Sequence, residues 1–136
     1  MTLRVPNVGE VLMLKNIVNN TAPQNLILML NTNDVNNFET DVTANYTEAS
    51  GAGYANVTLT GTTWAINSAD PSNATYAQQT FTFTGSLGNV YGYFIAETTS
   101  GILKWAERFS NGPFDIQNNG DQIKVTPIIT LKDTLD

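Results

Sequence analysis

The stretch QTFTFTGSLGNVYGYFIAETTSGILKWAERF, residues 79–109, decides the fold. Phe81 and Phe83 alternate with Thr80, Thr82 and Thr84. That period of two places the rings on one face and the hydroxyls on the other, as in a half-buried strand. Gly85, Gly88 and Asn89 turn the chain. Residues 90–97 then carry Tyr91, Tyr93 and Ile95 on one face, and Val90, Gly92, Phe94 and Ala96 on the other. A strand apolar on both sides has to be covered on both sides. Residues 98–101 read as a hairpin-like break. Leu103, Trp105 and Phe109 are expected to share a face of the next strand.

The same pattern extends in both directions. Upstream, Ala55, Val57 and Leu59 alternate with Asn56, Thr58 and Thr60, and Trp64 and Ile66 form the next inward pair. Residues 26–30 are apolar throughout, as in a central strand, whereas residues 38–46 are ambiguous and residues 70–73 read as a loop. Downstream, Ile123, Val125, Ile129 and Leu131 line one face of a long last strand. Pro127 interrupts it and argues for an edge or a bulge, because proline has no N–H to donate to a ladder.

One short N-terminal helix is expected before the strands. Asn7 is placed to cap it and Glu10 follows three residues on, a capping-box spacing. Val8, Val11, Leu12 and Val18 recur at helical spacing, widened by Leu14 and Ile17, and Asn19 and Asn20 end the helix. The stripe is expected to pack on a sheet, with docking of a partner as the other reading. Gly9 in the first turn speaks against the helix.

About eight short strands, with turn signals every 8 to 12 residues or so, predict a mainly β chain. The expected form is an antiparallel β-sandwich, jelly-roll-like, with a closed barrel as the alternative. Residues 1–136 read as a single domain. Residues 1–6 are a possible extended N-terminal arm that either frays or reaches a neighbour.

Composition removes many functions. The 136 residues include no His and no Cys. A Ser-His or Cys-His nucleophile, a thiolate and a soft metal site are therefore excluded. The formal net charge is −6, and the six Lys and Arg never cluster, so no basic patch offers itself to phosphates and nucleic-acid binding is not expected. Only 13% of residues are charged, while Asn and Thr together make up roughly a quarter of the chain. Such a surface is polar with few charges to desolvate on contact. No apolar run approaches the roughly 20 residues of a membrane span. The first residues lack the pattern of a signal peptide, so synthesis in a cytoplasm is expected. The sequons at Asn19, Asn45, Asn56 and Asn73 read as chance in so Asn- and Thr-rich a chain.

Few side chains suggest chemistry. Glu107 falls on the face of Trp105, where a buried carboxylate needs a partner. Arg108 and Lys104 are near in sequence but point the other way in an ideal strand. Glu107 therefore either turns to solvent at a bulge, forms a structural ion pair at a subunit contact, or works as a catalytic carboxylate with Glu97. Asp34, Asp41, Asp70, Asp115 and Asp121 lie in or near Asn- or Gly-containing loops, but at no calcium-loop spacing, and Asx turns explain them. Tyr91, Tyr93, Trp64 and Trp105 read as core, or as a sugar-stacking platform. The candidate interface residues are Leu3, Arg4 and Val5 of the arm, Tyr91 and Tyr93 of the doubly apolar strand, and Glu107 and Arg108. No catalytic residue, metal or cofactor is expected.

Three stretches carry a family resemblance: VPNVGEVLMLKNIVNN (residues 5–20), VYGYFI (residues 90–95), and the closing block from KWAERFSNG (residues 104–112) to IKVTPIITL (residues 123–131). In them the chain resembles capsid decoration, or cement, proteins of tailed bacteriophages. The resemblance implies a non-enzymatic homo-oligomer, a trimer in the first instance. It would bind the outside of the capsid, bridge major capsid protein subunits and assemble in the host cytoplasm. A tail or fibre component that binds host-surface glycans is the alternative.

Overall fold

A computed structural model describes residues 3–132 of the chain. It is mainly β and antiparallel, with one α-helix, α1 (Asn7–Ile17), ahead of the strands. The centre is a four-stranded sheet built from β1 (Leu26–Asn31), β2 (Val57–Leu59), β7 (Gly92–Glu97) and β8 (Leu103–Arg108), in the order β2-β1-β7-β8. β1 and β7 pair over their full lengths, from Leu26 opposite Glu97 to Asn31 opposite Gly92. All six residues of β7 are buried, as expected for a strand apolar on both faces.

Each face of this sheet has its own core. On one face Leu28, Leu30, Leu59, Tyr93, Ile95 and Trp105 meet side chains from the shorter ladders. Those ladders pair β5 (Gln79–Thr82) with β10 (Gln122–Val125), and β6 (Gly88–Val90) with β9 (Phe114–Ile116). They contribute Phe81, Phe83, Val90, Ile116, Ile123 and Val125, which gives the two-layered packing of a β-sandwich. On the opposite face Met29, Phe94, Ala96, Leu103 and Ala106 pack with Tyr46, with Val8 of α1 and Val35 against them. A further sheet, in the order β11-β4-β3, joins β3 (Ala65–Asn67), β4 (Ser72–Thr75) and β11 (Ile128–Leu131).

Several expectations are corrected. Eleven strands are present among the described residues where about eight were expected. β4 arises in part from residues read as a loop, because its ladder rests on backbone pairing that an apolar pattern does not reveal. The long last strand is two strands in different sheets. β10 runs beside β5, the chain breaks at Thr126 and Pro127, and β11 runs beside β4. Pro127 is buried at the break and its carbonyl accepts the Tyr76 N–H at 2.9 Å. Leu103 does not share the face of Trp105. Trp105 lies opposite Ile95 and Leu103 opposite Ala96, so the bulge skips Lys104 and turns Leu103 to the Phe94 side. Ile66 is exposed rather than inward.

The helix also differs from its expected form. Pro6, not Asn7, is the N-cap residue, and no side chain caps the helix. The Asn7 N–H is instead satisfied by the Glu39 carbonyl at 2.8 Å. At the other end Asn19 adopts φ 58, the Asn20 N–H reaches the Lys15 carbonyl and the Asn19 N–H the Asn16 carbonyl. This is a Schellman closure with Asn in the left-handed position. The largest difference concerns the face that α1 buries. Gly9 and Leu12 are its buried residues, while Val11, Leu14, Ile17 and Val18 are exposed. A Cβ on Gly9 would collide with the Lys104 carbonyl. Glycine therefore lets α1 lie directly on the backbone of β8, and that contact orients the apolar stripe outward.

Candidate interaction surface

An exposed apolar surface is built by the N-terminal lead-in, α1 and the β11-β4-β3 sheet. Residues 3–6 are held by a two-way backbone bridge between Arg4 and Ala106, both bonds 3.0 Å, which extends the central sheet beyond β8. They thus lie on their own sheet, and not as a free arm; Met1 and Thr2 lie outside the described residues. Leu3 and Val5 point from this segment into a groove of about 410 Å³. Its other wall follows from register. Ile66 and Ile129 both lie opposite Ala74, and Leu131 lies opposite Ser72, so the four share one face with Ser72. Met13 and Glu10 of α1 complete the lining. Beyond the groove the stripe of α1 and its C-cap residue Val18 stand in solvent, with Val11 50%, Leu14 61%, Ile17 77% and Val18 70% exposed.

The candidate interface residues do not form one patch. Leu3 and Val5 line the groove. Arg4 is exposed and pairs with Glu39 at 3.6 Å. Tyr91 is half-buried, and its backbone bridges Asn31 and Phe109. Tyr93 is buried and its hydroxyl donates to Glu107 Oε2 at 3.0 Å. Burial raises the Tyr93 phenol above its ordinary value, and the Glu107 charge adds to the shift. Glu107 is therefore a half-buried acceptor within the chain and makes no ion pair with Arg108, which points away and bonds Asp34 at 2.8 Å. The sequence reading missed Glu10, Met13, Ile66, Ile129 and Leu131 as lining residues, and gave an outward, docking stripe on α1 only as its second reading. Gly9 was the available signal. A lone glycine in a helix marks the side that approaches a backbone, and the stripe lies on the opposite side.

The polar groups act mainly as structural locks. Glu97 is 1% exposed, and its Oε1 accepts the Ser100 hydroxyl at 2.7 Å. Lys104 donates to Asn16 Oδ1 at 3.1 Å; burial lowers its pKa, and the Glu97 charge offsets part of that. Glu97 lies four residues, about 13 Å of strand, along β7 from Tyr93, the partner of Glu107, and each carboxylate accepts a different hydroxyl, that of Ser100 for Glu97 and that of Tyr93 for Glu107. Asp41 Oδ2 accepts the Phe38 N–H and the Tyr46 hydroxyl, each at 2.9 Å, and Asp121 Oδ2 accepts the N–H groups of Gln117 and Asn118. These loop acids hold their own turns. Among the described residues no group of three or more acidic side chains is placed to hold a metal ion. The proposed sugar platform is not assembled. Tyr93 and Trp105 are buried, and half-buried Trp64 packs edge-on against Tyr76 and Trp105.

No helix among the described residues is long and apolar enough to cross a membrane. No family model matches the chain, and neither a curated protein nor a solved structure is significantly similar to it.

Proposed function

We propose that this chain is a non-enzymatic structural protein of a tailed-bacteriophage virion. It binds the outer surface of the capsid, bridges major capsid protein subunits and stabilises the shell. In this reading the β-sandwich is jelly-roll-like, the working unit is a homo-oligomer with a trimer implied by the resemblance, and assembly takes place in the host cytoplasm. The observation that carries the reading is the uncovered apolar surface of the groove and of α1, on a chain with only 13% charged residues. Contiguous apolar surface of this kind marks interaction sites. Glu10 is the one charged side chain among the described residues of the groove's lining, beside the uncharged Ser72, Asn73 and Thr130, so covering the groove desolvates a single carboxylate at most. Attachment at many equivalent places on a shell then turns modest contacts into stable binding.

The test is co-sedimentation of the purified chain with shells that lack it, at several salt concentrations, with heat-induced rupture as a second readout. Stoichiometric binding that survives high salt, with fewer ruptured particles, is the expected result. Failure to bind intact shells would overturn the proposal.

A further inference from the structure

We infer that the outward stripe of α1 is a self-association surface, and that its occupant is α1 of a second copy of this chain, packed in parallel. Val11, Leu14 and Val18 recur at intervals of three and four residues and are exposed. With Val11 and Val18 at a positions and Leu14 at d, they form the seam of a short coiled coil. Charge fixes the direction. Glu10 precedes the first a residue, at a g position, and Lys15 follows the d residue, at an e position. In a parallel pair, a g residue of one helix meets the e residue five positions on in its neighbour. Glu10 and Lys15 are five apart and opposite in sign, so each helix offers its acid to the lysine of the other. Both side chains are free for this role, since neither makes an ion pair among the described residues.

The mounting of the helix permits the contact. At 3.6 residues per turn, Gly9 lies roughly opposite the Val11–Val18 line, with Leu12 more than a quarter-turn away from it. Gly9 and Leu12 are buried against the protein's own sheet. Two copies joined along the stripe would therefore project to opposite sides of the seam. A hollow lined by Val8, Val11, Leu12, Lys15 and Ile102 lies along one flank of the stripe and offers room for side chains of the neighbouring helix. Only three turns of helix take part, so association is weak and concentration-dependent.

Sedimentation velocity of the free full-length chain over a wide concentration range tests this independently of any shell, so that failure here and failure of capsid binding are separate results. The expected wild-type behaviour is a reversible dimer or trimer; Val at a with Leu at d favours two strands. Leu14→Glu should abolish it, and circular dichroism should show the fold intact because Leu14 is exposed. Val18→Ser serves the same purpose if Leu14→Glu does not fold. Glu10→Lys and Lys15→Glu should each weaken association about tenfold, and the double charge swap should restore most of it. A chain that stays monomeric at every concentration would overturn the inference, and leave the stripe to a different partner. So would an oligomer that resists a folded Leu14→Glu or Val18→Ser variant. Loss on the single charge changes without rescue by the swap would overturn the parallel register.

Discussion

Three tyrosines set how the fold responds to alkali. Tyr46, Tyr54 and Tyr93 all have pKa values raised above the ordinary 10.0, chiefly by burial. Nearby acids, Asp41 for Tyr46, Glu48 for Tyr54 and Glu107 for Tyr93, add to the effect. The folded state thus prefers the neutral phenol. The stability this confers is complete below pH 10, where the unfolded chain also keeps its phenol protons, and is lost as pH rises through the higher folded values. Lys104 has the opposite sign, since its pKa is lowered by burial and the fold holds its neutral form more readily. Its penalty fades as pH approaches its ordinary 10.5, and one lysine does not offset three phenols. The part of the tyrosinate absorbance that belongs to Tyr46, Tyr54 and Tyr93 should therefore rise together with loss of near-UV circular dichroism above pH 10. Tyr93→Phe should make stability fall less steeply with pH in that range, and should cost about 1 kcal/mol at neutral pH by removing the donor to Glu107. Ionisation of Tyr46, Tyr54 or Tyr93, each identified by its Phe variant, in a chain that keeps its near-UV signal would contradict this account.

Among the elements, α1 gives the sharpest departure from propensity. Gly→Ala inside a helix ordinarily stabilises by about 1 kcal/mol. At Gly9 the added methyl would strike the Lys104 carbonyl, and the helix would have to lift off β8. Gly9→Ala should therefore destabilise by about 1–3 kcal/mol, measured by denaturant unfolding. A neutral or stabilising result would mean that α1 does not lie on the β8 backbone. The sequence revealed that a helix begins near Asn7 and ends at Asn19, because Asn readily takes the left-handed position that closes a helix. It did not reveal which face is buried, because apolar periodicity locates a stripe without saying whether protein or solvent meets it. Strands followed the same logic. β7 was legible from Gly92 to Glu97, since these positions carry apolar or small side chains up to Glu97. Val90, read as part of the same strand on the face of Phe94, instead lies in β6 and packs in the core of Tyr93 and Ile95. β4, made of Ser72, Asn73, Ala74 and Thr75, was not, since only backbone pairing defines it. Pro127 was read as an interruption, but a one-dimensional pattern does not tell a bulge from a change of sheet. For the same reason Leu3 and Val5 were legible as interaction candidates, whereas Ile66 and Leu131 join them only through the register of two different strand pairs.

For the molecule as a whole, the arrangement of the two cores determines how it unfolds. Phe83 belongs to the core between the central sheet and the short ladders, and Phe94 to the core on the other face. Both are essentially inaccessible to solvent. The two cores are separated in space but share β1, β7 and β8, since each face of those strands contributes to one of them. Unfolding either core removes the packing that keeps the shared strands covered, so neither has a stable state without the other. Phe83→Ala and Phe94→Ala should each cost about 3–5 kcal/mol, a large part of the 5–15 kcal/mol or so that stabilises a domain. Both should lower the midpoint of the same single transition, with far-UV and near-UV circular dichroism changing together. If Phe83→Ala instead split the curve, with one phase left at the wild-type midpoint, the two cores would be independent units and the shared sheet would not couple them. Coupling of this kind suits a protein whose proposed task is to resist load. Force applied at the α1 stripe reaches β8 through the Gly9 contact, and passes from β8 into both cores at once.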